Sequence, residues 1–390
     1  MQLKTTFKSP FGGGNSICAR KLQSDVVEWL RFPMILMVVF IHYQGDELTN
    51  QPMYGANIYD SIRILLCHVV SRAAVPSFFV ISGYYFFYNS KLTLVVYRQK
   101  LKQRFKTLFV PYMLWNLIVL LSAIITKVGA FFLKGKPLYS IIEYLDEKGW
   151  IDIFWSCNEW EGMTSWLGKQ MINTAPLLVP MWFIRDLMVV VVLTPVIYYA
   201  CKKMGTSFLL LLFVAYISSI YPKVPGFSIG AIFYFSIGAF LAIRGRNIIT
   251  VFRAVRIPAF VLITLLIPIM VYFDGQYTPT GNLIYPFFVL TLVAVYFNVA
   301  TMMVERNCLT WFFPLSKASF FIFALHTIYV LAFSDKIMKF IIPSDFWLLA
   351  ILRYIFTPLL CVAICYGLFL LMQRFTPRFL GVLTGNRVGQ

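Results

Sequence analysis

Three histidines occur in 390 residues, and one of them shares a helix-length apolar stretch with an arginine, in the run RFPMILMVVFIHYQGD from Arg31 to Asp46. On a helix, eleven steps of about 1.5 Å place His42 roughly 16 Å from Arg31, and eleven rotations of about 100° return both to nearly one face. That spacing suits a long ligand with one anionic end. A guanidinium can hold a phosphate, and a neutral imidazole deeper in the bundle can take a proton near pH 7 at the ligand's other end. Acyl-coenzyme A has that shape. The plainer reading makes Arg31 a headgroup anchor and His42 a helix-end residue bonded to a neighbour. One turn beyond, Asp46 would face the ring on a continuing helix and orient it; otherwise it is a solvated carboxylate opening a loop.

Other ionisable residues in apolar surroundings are candidates too, because charge is costly there unless it faces a bundle interior or a wet cavity. His326 falls within a late apolar segment and reads either as a site residue or as a core histidine donating to a carbonyl. His68 stands near a helix end. Arg185 and Asp186 open another segment, where Arg185 can stabilise an oxyanion, grip an anionic acceptor or simply anchor the helix. Arg72 carries the same choice. Ser82 and Gly83 read as a close-packing pair or as part of a site. The basic run Arg98, Lys100, Lys102, Arg104 and Lys106 can hold coenzyme A phosphates or lipid headgroups.

The elements that position these groups are membrane spans. Hydrophobic residues make up 59% of the chain and charged ones 13%, against about 25% charged in soluble domains. About ten segments approach the roughly 20 residues needed to cross a bilayer: Trp29 to Leu48, Val70 to Tyr88, Leu108 to Thr126, Pro180 to Cys201, Ser207 to Tyr221, Ser228 to Ile243, Ile257 to Phe273, Leu283 to Val304, Ala318 to Phe333 and Phe346 to Met372. The fold expected is an all-α integral membrane bundle. A basic leader (1–28), a transmembrane domain (29–373) and a basic tail (374–390) divide the chain.

Every second connection is basic, namely Lys91 to Lys106, Lys202 with Lys203, Arg244 to Arg256, and Arg374 with Arg378. The positive-inside rule then puts both termini in the cytoplasm. The outward connection from Lys127 to Val179 carries Trp150, Trp155, Trp160 and Trp166, a spacing that suggests amphipathic helices at the interface. No A-x-A-like cleavage site follows the first apolar stretch, so the first span is expected to serve as insertion signal.

The net charge of +18 comes without a nucleic-acid recognition module, and its placement between spans reports orientation and lipid contact. No Cys-x-x-Cys pair suggests a metal, and none is expected. Cys67 and Cys157 face outward as two thiols or one disulfide. Gly12-Gly13-Gly14 lacks the Lys-Ser or Lys-Thr of an ATP-binding loop, and Glu47 stands where a His-x4-Asp acyltransferase motif needs Asp.

Arg31-x10-His42 resembles the first-span signature of the acyltransferase-3 family of membrane O-acyltransferases. SRAAVPSFFVISGYYFF is similar to the family's "VPLFFVISGYLL" motif, with Val75, Pro76, Phe78, Phe79, Ser82, Gly83 and Tyr84 in matching places. PMWFIRDL and LSKASFFIFALHTIYV resemble two further motifs in family order. The resemblance runs from about Leu22 to Phe375 and looks like a single-domain member without an SGNH domain. It implies His42 as the catalytic base or acyl carrier, with His326 binding acceptor or supporting the site. It also implies transfer of an acyl group, acetyl being the leading choice, from cytoplasmic acyl-CoA (acetyl-CoA) to a hydroxyl of a surface or periplasmic glycan or glycolipid. A bacterial inner membrane, multi-pass location follows. The competing reading is a secondary transporter or flippase for an anionic glycolipid, with Arg31, Arg72 and Arg185 along its path.

Overall fold

The computed structural model describes residues 13–46, 48, 52–135, 143, 149–164, 170–218, 224–275, 278–343 and 346–386. The leader's Lys4 and Lys8, together with Asp146, Glu147 and Trp166, lie outside them. In a lipid environment a backbone must satisfy its own polar groups, and apolar blocks of this length do so as helices. The first half runs α1 (Gly13–His42), α2 (Met53–Ile64), α3 (Ala74–Phe87), α4 (Leu94–Arg104), α5 (Val110–Lys134), the single turn α6 (Trp150–Ile153), then β1 (Asn158–Thr164) and β2 (Gln170–Ala175). After the strands come α7 (Trp182–Val192), α8 (Thr194–Lys203), α9 (Thr206–Ser218), α10 (Ile229–Ile243), α11 (Ile248–Ala254) and α12 (Arg256–Tyr272). The chain closes with α13 (Pro279–Glu305), α14 (Phe312–Ser316), α15 (Ser319–Leu325), α16 (Leu331–Ile341), α17 (Trp347–Phe375) and α18 (Pro377–Thr384).

Among the described residues, each of the apolar segments read from the sequence lies mostly on helix, but they are not equal as spans. Five continuous helical stretches among the described residues are long and apolar enough to cross a membrane, and up to seven if each bent pair is one span. One bent pair is α7 with α8, at 61°, and the other α10 with α11, at 109°. Helices α9 and α12 are apolar but shorter. α1 stands apart because Asp25, Glu28 and Arg31 interrupt it and it ends at His42, short of the expected Leu48. It is a core helix, with Val26, Val27, Met34, Val38 and Val39 buried against α13, α14 and α15.

The tightest crossing joins α3 and α10. A Cβ added at Gly83 would collide with the carbonyl of Phe235, and one at Gly238 with the carbonyl of Val80. Two glycines therefore let the backbones touch, which is how helices gain dispersion contact where lipid supplies no hydrophobic drive. Gly83 thereby takes the packing reading, and its neighbour Ser82 is partly buried.

Among the described residues, the part of the connection that carries Trp150, Trp155 and Trp160 is a single turn and a hairpin rather than a set of amphipathic helices. α6 makes one turn, and β1 pairs antiparallel with β2, Asn158 opposite Ala175 and Trp160 opposite Asn173. Pairing satisfies the strand backbones, and the Asn158 amide closes the base by donating to the Pro176 carbonyl at 2.7 Å. Trp155 is held by its own indole N–H, which donates to the Pro225 carbonyl at 3.1 Å. Cys67 and Cys157 are both buried, and no disulfide joins them.

Candidate active site

The last turn of α1 delivers His42 against His326, which ends α15. The ring centroids are 5.2 Å apart and tilted by 52°. His326 is fully buried, and its Nδ1 lies 2.8 Å from the Phe323 carbonyl and 3.2 Å from that of Ile322. A carbonyl only accepts, so Nδ1 carries the proton and Nε2 keeps its lone pair in the neutral ring. That Nε2 is buried and without a hydrogen-bond partner among the described residues. His42 is partly buried as a residue, its ring lying deep among protein atoms. Two imidazoles, one of fixed tautomer, thus stand in ring contact at the centre of the bundle.

The backbone breaks just after His326. The segment His326–Val330 leaves the α-helical pattern, with Ile328 at ψ 78 and Tyr329 at φ 63, ψ −20. Breaks of this kind expose polar backbone groups and recur at functional sites. The Sγ of Cys361 on α17 donates to the backbone carbonyl of His326 at 3.8 Å, tying this segment to α17.

Arg72 joins this centre. It lies on a 3₁₀ turn, Val70–Ala73, between α2 and α3, and its charge reaches His42. Arg31 keeps its expected relation to His42, because α1 is continuous between them. It is exposed on that helix, with its charge felt by Tyr85 near the end of α3.

Two expected site residues have other work. α1 stops at His42, so Asp46 is not on the ring's face of a continuing helix. Its carboxylate takes Lys339 Nζ at 2.7 Å and Arg353 at 3.1 Å, and its backbone N–H donates to the Tyr59 hydroxyl at 3.0 Å. The same Lys339 bonds Asp335 at 2.8 Å, and Asp335 accepts from Tyr43 at 2.8 Å. Asp46 therefore clamps the end of α1 to α16 and α17. Arg185 is buried and commits all its N–H groups locally. It donates to Asp186, to the Trp155 carbonyl and to the Thr174 hydroxyl and carbonyl. With no donor left for an oxyanion, Arg185 and Asp186 anchor the hairpin to α7.

The structure supplies a carboxylate–imidazole pair that the sequence did not suggest. His68 Nδ1 meets Asp274 at 2.6 Å, and this hydrogen bond holds the Asp274 carboxyl below its usual range. The two lie 206 residues apart, so no spacing rule connects them. Among the described residues no cluster of His, Cys, Asp and Glu could hold a metal ion.

Comparison with known proteins bears on what this centre is. An acyltransferase domain family matches residues 25–370, which takes in the C-terminal part of α1, the His42–His326 centre and most of α17. The chain belongs to the acyltransferase-3 family. Over 375 residues it is 24% identical to the succinoglycan biosynthesis protein ExoH of Rhizobium meliloti (strain 1021), covering 93% of this chain and 92% of that one. No solved structure matches it. Within this acyltransferase family the matched motifs now have places: the glycine of VISGYYFF at the α3–α10 crossing, the histidine of FALH at the centre, and FIRD beneath the hairpin.

Proposed function

We propose that this protein is a membrane O-acyltransferase that moves an acyl group, acetyl in the leading case, from cytoplasmic acyl-CoA to a hydroxyl of a surface or periplasmic glycan or glycolipid. The observation that carries the reading is the imidazole pair at 5.2 Å with the His326 tautomer fixed. One ring takes the proton of the acceptor hydroxyl as its oxygen attacks the thioester carbonyl. The tetrahedral oxyanion draws on the charge of Arg72. Collapse breaks the C–S bond, and the departing thiolate receives that proton as CoA–SH. His42, the less buried of the two residues, is the ring placed to touch the reacting atoms. The neighbouring Nε2 of His326 then accepts a hydrogen bond from the acceptor or from His42. Arg31, about 16 Å away along the helix, holds the donor's phosphates. The succinoglycan relative favours a polysaccharide as acceptor.

The test is acyl transfer from acetyl-CoA by the purified protein in lipid. His42→Ala lowers kcat by about 10²–10⁴-fold, the usual contribution of a general base. Arg31→Ala raises KM for acetyl-CoA and leaves a truncated acetyl thioester without phosphates unaffected. Full activity in both variants would dispose of these assignments.

The discontinuous helix at Ile328 and Tyr329 and the 61° bend between α7 and α8 favour a second reading, transport of an anionic glycolipid, since broken helices mark transporter sites. Substrate flux in proteoliposomes without acyl donor separates the two.

A further inference from the structure

A cavity of about 230 Å³ lies between α5, the chain descending from the hairpin and the broken segment after His326. Ser122, Leu177, Val179, Thr327, Ile328 and Tyr329 are among its walls. We propose that this cavity is the acceptor subsite of the reaction, built to take one pyranose ring so that a ring hydroxyl is presented to the His42–His326 pair. The inference rests on the acyltransferase reading above and adds to it where the acceptor binds and what it is made of.

Three features of the wall point to a sugar. The Thr327 hydroxyl is buried and has no hydrogen-bond partner among the described residues, and neither has Nε2 of the adjoining His326. Buried polar atoms are nearly always satisfied in folded proteins, so the Thr327 hydroxyl left open on a wall residue marks a place where a ligand's hydroxyl completes it. Tyr329 is held at φ 63, a backbone region that a bulky residue rarely enters. It is 59% exposed. A phenol ring turned out of the helix at a cost in strain gives a flat apolar face with a polar edge, and a pyranose has the same division. Leu177, Val179 and Ile328 supply the remaining apolar surface.

The position separates this cavity from the donor site. Leu177 and Val179 follow directly from β2, and the Leu177 N–H is fixed to the Ile153 carbonyl at 2.9 Å. The cavity thus lies on the hairpin's side, whereas Arg31 lies eleven residues before His42 on α1. Its volume is below the 300–1,000 Å³ or so of whole drug-sized sites, which fits one sugar unit with the rest of the acceptor outside. None of the wall residues named here carries a positive charge, so a neutral ring fits better than an anionic one.

The test uses the full chain in lipid nanodiscs with methyl β-D-glucopyranoside and methyl β-D-galactopyranoside as probes, read by saturation-transfer NMR. Wild type and His42→Ala give signal on the ring protons. Thr327→Val and Tyr329→Asn lose it, Asn being tolerant of the left-handed backbone, while Tyr329→Phe keeps it. In transfer assays the two losing variants raise the acceptor KM by about tenfold, the worth of one lost hydrogen bond or stacking contact, with the acetyl-CoA KM unchanged. Signal that is absent from wild type, or that survives in both Thr327→Val and Tyr329→Asn, overturns the subsite. Binding with this pattern in a protein that transfers no acyl group would retain the subsite and remove the acyltransferase reading instead.

Discussion

His326 can be stripped of its chemistry without being stripped of its hydrogen bond. An asparagine there offers an amide N–H close to the position of Nδ1, so His326→Asn keeps donation to the Phe323 carbonyl while deleting the Nε2 lone pair. The expected outcome is near-native thermal stability with kcat lowered by about 10²-fold or more, measured by a melting curve and an acyl-transfer assay on one preparation. A variant that melts early and turns over normally would make the ring a packing residue. The same logic explains which residue roles can be read from sequence. Arg31 and His42 were visible together because one unbroken helix converts eleven positions into a distance. His68 with Asp274 and Tyr43 with Asp335 were not, since 206 and 292 residues separate the partners and only the fold brings them together. Nor does HTIYV announce its break, having no Pro or Gly to mark one.

Helices meet at points that single atoms decide. At the α3–α10 crossing, Gly83→Ala forces a methyl into the Phe235 carbonyl, with both backbones buried and unable to yield. We expect that variant to lose its single sharp peak on size-exclusion chromatography, while Gly129→Ala on α5, where a Cβ meets nothing within 4 Å, is tolerated or slightly stabilised. Two sound variants would mean the crossing is looser than the backbone contact requires. The clamp at the end of α1 behaves differently, being electrostatic. Arg353 has a side chain only 4% exposed, and Asp46→Asn removes its carboxylate partner and one of the two carboxylates on Lys339, the other being Asp335, a loss of about 1.5–3 kcal/mol for charged hydrogen bonds. Melting temperature should fall first and activity with it. A fall in kcat at unchanged stability would return Asp46 to the ring-orienting role. From sequence, Asp46 pointed to His42 because helix continuation was assumed. The apolar pattern does not encode the stop, since His42, Tyr43 and Gln44 carry no turn residue until Gly45, which takes φ 73. The hairpin stayed hidden for a related reason: the tryptophan spacing reads as interfacial helices, and steps of five or six carry no alternation of the kind that announces a strand.

The molecule as a whole has two chemically distinct ends. Basic connections meet one another and their few acids: Arg244 donates to the Cys201 carbonyl beside Lys202, Arg253 pairs with Glu305, and Tyr84 joins Gln23 of α1 to the carbonyl of Arg246. The acidic connections likewise find each other's elements, Asp46 with Lys339 and Arg353, His68 with Asp274. Connections that alternate in charge along the sequence are therefore segregated in space, and the positive-inside rule assigns the Arg244–Arg253 end to the cytoplasm. That assignment can be tested on a thiol already present. Cys308 follows Glu305 and Arg306 at the basic end and is the exposed cysteine among those described. With Cys18 replaced by Ser, a membrane-impermeant maleimide should label Cys308 in inverted vesicles and leave it untouched in intact spheroplasts. Labelling from the outer side would turn the bundle over. Arg31 would then face away from the compartment that holds acyl-CoA, and the cavity beside Tyr329 would face into it, so the proposed roles of donor and acceptor ends could not both stand.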